Sequence, residues 1–118
     1  MQFDQFTVVL LVRPDGAPRL EGREAAALQD AHMAHLAGLH ADGRLLAAGP
    51  CEASADRRIV GICLLRLGVP EARELLENDP LVRAGRLRLE VFSWSVPDGT
   101  VSFSPSRFPR SMAEAGNP

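Results

Sequence analysis

The stretch HMAHLAGLHADGRLLAAGP, residues His32 to Pro50, decides how this chain folds. Its first half is rich in Ala and Leu, residues that lose little on entering a helix. Asp42-Gly43 supplies the stop, because glycine tolerates the left-handed backbone on which helices end. Leu45 to Ala48 then reads as a short strand, and Gly49-Pro50 as its rigid exit. Upstream, the helix reaches back to about Arg23. Before it lies FTVVLLVR, Phe6 to Arg13, β-branched and apolar without alternation, the pattern of a strand buried on both faces. Pro14-Asp15-Gly16 closes that strand with turn chemistry.

Downstream, Cys51 to Asp56 is a polar connection, followed by RRIVGICLLRL, Arg57 to Leu67, again apolar on both alternating faces. Gly61 marks a point in it where a side chain is unwelcome. Pro70 stands where a first helical position is expected, and EARELLEN follows until Asp79-Pro80 breaks the helix. From Arg86 to Val96 the pattern alternates, with Leu87, Leu89 and Val91 on one face and Arg88, Glu90, Phe92 and Trp94 on the other. The order is βαββαβ. This predicts a ferredoxin-like α+β fold: a four-stranded antiparallel sheet with two helices on one face. In that topology the first and third strands are central, and these are the two that read as buried on both sides.

Two helices cover one face of such a sheet. Thr7, Val9 and Leu11 oppose Phe6, Val8, Leu10 and Val12, and Val60, Ile62 and Leu64 oppose Ile59, Cys63 and Leu65. A bare apolar sheet face exceeds the few hundred Å2 that monomers tolerate. A homodimer packed sheet to sheet is therefore expected. After Val96 the periodicity ends; Pro97, Pro105, Pro109 and Pro118 with Ser, Gly and Asn predict a tail. The expected division is a folded domain over residues 1–98 and a Pro-rich tail over 99–118. Val101, Phe103 and Phe108 are apolar enough to lie along the sheet edge or the partner, and Ala113 to Pro118 are expected to be poorly ordered.

With 118 residues the chain holds one modest core. Hydrophobic residues make up 46% and charged residues 24%, a soluble globular balance. A formal net charge of −2 provides no basic face for nucleic acid. No apolar run approaches the ~20 residues of a membrane span, and the MQFDQF start has no leader pattern, so a cytoplasmic protein is expected. Cys51 and Cys63 read as free thiols in a reducing compartment, with Cys63 in the core.

Leu28, His32, His35, Leu36 and Leu39 cluster on one sector of the first helix, so His32 points along the buried stripe. A buried imidazole needs a partner, since an unpaired polar group costs about 1–3 kcal/mol. Two readings remain open: a general acid–base group at a cleft rim, or a core histidine satisfied by a carbonyl. Asp79 is likewise explained either as a helix terminator before Pro80 or as the group that orients His32. His32 and His35 with Asp79 could form three metal ligands, but no HExxH pattern or dense ligand cluster supports a metal, and none is expected. His40 sits at the helix end, where exposed capping is the expected role.

His32, the turn Gly43-Arg44-Leu45-Leu46, Gly49-Pro50 and Asp79-Pro80 together resemble the YciI-like (YCII-related) family of small α+β proteins, over roughly residues 5–96. The resemblance implies a dimeric α+β barrel and a His/Asp centre at His32 and Asp79. It implies a cofactor-independent enzyme that moves protons on a small cyclic or aromatic metabolite, as an isomerase, lyase or cyclase. The alternative is a non-catalytic small-molecule-binding or accessory protein of the same fold. Two positions depart from the family pattern. Gln29 stands where many relatives have Arg, and Ile62 follows Gly61 where many have Ser. Gln29 keeps hydrogen-bonding capacity without charge. Arg88 either substitutes for the lost cation or makes a solvated or interface salt bridge, and Trp94 is either core or dimer-interface material or a wall for an aromatic substrate.

Overall fold

The computed structural model describes residues 1–52 and 58–116. Most of the expected polar connection, and Arg57 at the expected start of the third strand, lie outside the described residues. The chain runs β1 (Phe3–Val12), α1 (Gly22–Ala41), β2 (Leu45–Pro50), β3 (Ile59–Leu65), α2 (Val69–Glu77), α3 (Pro80–Arg83), β4 (Arg88–Pro97) and α4 (Met112–Ala115). The four strands form one antiparallel sheet in the order β2-β3-β1-β4, the ferredoxin-like arrangement. β1 and β3 are central, as their two-sided apolar pattern requires.

Register assigns the faces. Val9 stands opposite Cys63 and Val91, and Leu11 opposite Gly61 and Leu89. Val9, Leu11, Cys63 and Leu65 pack with Leu39 of α1 and with Ala72 and Leu76 of α2 in one buried core. Each fully buried Leu or Val there contributes about 1.5–3 kcal/mol over exposure. Gly61 lies in this layer, where an added Cβ would stand 3.1 Å from Leu11 Cδ1 and 3.4 Å from the Gly49 carbonyl. The strand takes glycine there because β2 and Leu11 occupy the space of a side chain. Gly49 and Pro50 do not leave the sheet; they pair with Ile62 and Gly61, so β2 is two residues longer than expected.

α1 ends as its sequence dictates. Asp42 is the last cap, Gly43 has φ +81°, and the amides of Gly43 and Arg44 return to the carbonyls of His40 and Leu39 at 3.0 and 3.1 Å. That double return turns the chain directly into β2. Asp79-Pro80 does more than stop α2. Asp79 is extended, and its carboxylate accepts from the Leu81 amide at 2.8 Å, starting the single turn α3.

The other sheet face is partly covered by the chain itself. Phe103 meets Phe6 edge-on with centroids 5.5 Å apart, and Trp94 lies 6.3 Å from the same ring. Phe6 is 4% exposed, whereas Ile62, Phe92 and Trp94 remain 40–45% exposed. Beyond Phe103, Phe108 stacks on His40 at 3.9 Å, and Ser106 meets His40 Nε2 through both its carbonyl and its hydroxyl. His40 Nδ1 donates to the Leu45 carbonyl at 2.7 Å. His40 is thus clasped by the tail rather than standing as an exposed cap, a correction to the expectation. The expectation for Ala113 to Pro118 is corrected where the chain is described: Met112–Ala115 are helical, capped by Ser111, and the Met112 amide donates to Asp30 of α1 at 2.8 Å, whereas Asn117 and Pro118 lie outside the described residues.

Candidate active site

His32 lies midway along α1 and Asp79 at the corner between α2 and α3. Their side chains meet: His32 Nδ1 is 2.6 Å from Asp79 Oδ2. Each residue is placed by local chemistry. α1 is continuous through His32 because Ala and Leu carry it, and the face His32 shares with the buried Leu39 turns it inward. Pro80 pushes Asp79 out of helical geometry, which aims its carboxylate back across the end of α2 toward α1.

Asp79 is fully buried and His32 is 8% exposed. The carboxylate is satisfied on both oxygens, by the Leu81 amide at Oδ1 and by His32 at Oδ2. Because a carboxylate only accepts, the hydrogen of the pair sits on Nδ1 and the lone pair of the neutral ring sits on Nε2. Nε2 has no protein partner, and among the described residues no sealed side-chain nitrogen or oxygen lacks one. Nε2 is therefore not sealed from solvent. Cys63 lies beneath the pair in the sheet; burial, and secondarily the Asp79 charge, push its thiol up to about 12.

His35, one turn beyond His32, does not join the pair. Its Nε2 donates to the Leu75 carbonyl in α2 at 3.1 Å. Among the described residues no three His, Cys, Asp or Glu side chains are grouped to hold a metal ion. Gln29, one turn before His32, is half-buried, and its amide makes no hydrogen bond among the described residues. Arg88 and Trp94 are not brought to the pair. They project from the sheet face away from the helices, and Arg88 bonds Glu90 at 3.0 Å. Two cavities, of about 400 and 370 Å3, are lined by Arg107 to Pro109 with Glu114 and Ala115, and by Gln5 to Thr7 with Arg66 to Val69 and Ser93. Neither is lined by His32 or Asp79.

Fold and site together define a ferredoxin-like α+β domain with a buried His–Asp pair set between helix and helix corner. The chain belongs to the YCII-related domain family, which matches residues 7–95. Among solved structures it is similar to 5-chloro-2-hydroxyhydroquinone dehydrochlorinase from Burkholderia phenoliruptrix, determined in complex with 2,5-dihydroxybenzoquinone. That likeness has 21% identity and a TM-score of 0.47, covering 77% of this chain and 93% of that one. No curated protein matches the sequence. No helix among the described residues is long and apolar enough to cross a membrane.

Proposed function

We propose that this chain is a small enzyme without a cofactor that transfers protons on a small cyclic or aromatic metabolite, by isomerisation, elimination or cyclisation. The observation that carries the reading is the 2.6 Å contact between His32 Nδ1 and a fully buried Asp79, which leaves Nε2 as an outward lone pair. His32 Nε2 takes a proton from an activated carbon acid, and the imidazolium that forms is held against the Asp79 carboxylate. The same nitrogen returns the proton at the end of the reaction. Asp79 fixes the tautomer and, braced by the Leu81 amide, does not rotate away. Gln29, a turn away with a free amide, orients a polar group of the substrate.

The working unit in this proposal is a homodimer joined through Ile62, Phe92 and Trp94, with Arg88 and Trp94 serving the subunit contact. The two free cysteines suit a reducing, cytoplasmic setting. A second reading, a non-catalytic ligand-binding protein, is favoured by one observation: neither cavity reaches His32.

Wash-in of solvent deuterium separates the two. Wild type and His32→Gln are incubated in D2O with a panel of cyclic enones, lactones and polyhydroxylated aromatics, and exchange is read by mass spectrometry. Incorporation by wild type alone supports proton transfer. A compound that binds both proteins equally without exchange sinks it in favour of the binding role.

A further inference from the structure

The geometry points to His35 as a positioning residue that holds the α2–α3 corner in register with His32. The inference rests on the proposed role of the His32–Asp79 pair and adds a residue to it. α2 has nine residues, and its last carbonyls have no partners one turn further on. Leu75 is one of these. Its carbonyl accepts a long bond from the Asn78 amide at 3.3 Å and a shorter one, at 3.1 Å, from His35 Nε2 of α1. The next carbonyl, Leu76, accepts the Asp79 amide at 3.0 Å. One helical turn of α2 is thus closed from outside by His35 and ends on the backbone of Asp79.

His32 and His35 stand three residues apart on the same face of α1. They grip points four residues apart on the opposing segment, Leu75 and Asp79. A single contact leaves a corner free to pivot; two spaced contacts fix it. With the Leu75 bond intact, Asp79 Oδ2 stays in line with Nδ1 and the ring keeps one tautomer. Without it, the Leu75 carbonyl keeps only the longer Asn78 return, the corner is tied to α1 through the His32 contact alone, and the carboxylate drifts relative to α1. His35 touches neither the reacting nitrogen nor a ligand; it acts through the Asp79 backbone.

The test reads the His32 ring directly, with no need for a substrate. Long-range proton–nitrogen correlation spectra of full-length protein, recorded from pH 5 to 9, report which ring nitrogen carries the hydrogen. His35→Ala removes the donor. His35→Gln places an amide N–H near the original Nε2 position. Thermal melts of both variants fix a temperature at which each is folded. Wild type shows a single Nδ1–H form of the neutral His32 ring. His35→Ala loses that single form and shows both tautomers in exchange, and His35→Gln restores it. A single Nδ1–H form preserved in His35→Ala overturns the role of His35 alone. Loss in both variants overturns it too, because the effect then does not run through the donated bond. A wild-type ring not protonated at Nδ1 overturns the His32–Asp79 pair itself, and the inference with it.

Discussion

His32 and Asp79 lie 47 residues apart in the chain, and their side chains meet at 2.6 Å with the carboxylate wholly out of water. The pair cannot be dissected by alanine alone. His32→Ala leaves an ionised group buried without its partner, which costs about 3–5 kcal/mol. His32→Asn keeps an amide donor near the Nδ1 position and is expected to cost about 1–2 kcal/mol by comparison. Urea unfolding of the two variants checks this: equal midpoints would show that Asp79 gains little from the imidazole.

Asp79→Asn separates orientation from charge. Asparagine caps a helix as well as aspartate does, so the Leu81 bond and α3 survive. The amide can present its NH2 to Nδ1, which moves the ring hydrogen to Nε2 and removes the lone pair from the surface. Turnover of any substrate found is expected to fall about 10²- to 10⁴-fold while the melting temperature changes little. A variant with full activity would take Asp79 out of the chemistry.

Cys63 gives a pH dependence whose sign is fixed. Burial, with the Asp79 charge second, raises its thiol from the ordinary 9.0 to about 12 in the folded chain. The unfolded chain ionises first, so this contribution is fully present below about pH 9 and is lost as pH rises toward 12. The loss is about 1.4 kcal/mol per pH unit across that window. Cys63→Ala flattens the alkaline limb. In native protein at pH 8 a thiol reagent labels Cys51 and leaves Cys63 untouched until denaturant is added. Rapid labelling of both thiols in the native state would contradict the burial.

The sheet was legible in the sequence because each strand carries its burial in its periodicity: two-sided apolar runs for β1 and β3, alternation for β4. The His32–Asp79 contact was legible only through the family resemblance, since periodicity turns His32 inward but names no partner. α3 was missed because Asp79-Pro80 stops one helix and starts the next with the same two residues. The tail hid for a different reason. It docks through single side chains, such as Ser106 on His40 66 residues away, and such contacts leave no periodic trace. One local signal was there to be read, since Ser111 and Glu114 have capping-box spacing, and Ser111 does cap α4.

The tail contacts predict graded effects. Removing residues 113–118 deletes α4 and the exposed Arg107–Glu114 pair, and is expected to cost under about 0.5 kcal/mol. Phe103→Ala uncovers Phe6, and Phe108→Ala takes away the stacked face of His40; each is expected to cost about 1–2 kcal/mol, less than a core Phe. Differential melts of the three variants give the ranking. A short truncation as damaging as Phe103→Ala would place the anchor of the tail in α4 and the Arg107–Glu114 pair rather than at the aromatic rings.

The proposed dimer makes the last prediction. Along β1, Leu10 stands between Ile62 and Glu90, Val8 between Leu64 and Phe92, and Phe6 beside Trp94. Apart from Glu90, which pairs with Arg88, these residues form one apolar stripe across three strands on the face without helices. Ile62, Phe92 and Trp94 are each at least 40% exposed, and large apolar side chains grouped this way mark an association surface. Phe103 covers only the Phe6 end, so the chain does not close the stripe by itself. Sedimentation at micromolar concentration is expected to give about twice the 12.8 kDa chain mass. Ile62→Lys puts a charge in the middle of the contact and is expected to yield a folded monomer whose Trp94 is more readily quenched by acrylamide. If wild type sediments as a monomer and its Trp94 is quenched as freely as in Ile62→Lys, the stripe is not a subunit interface.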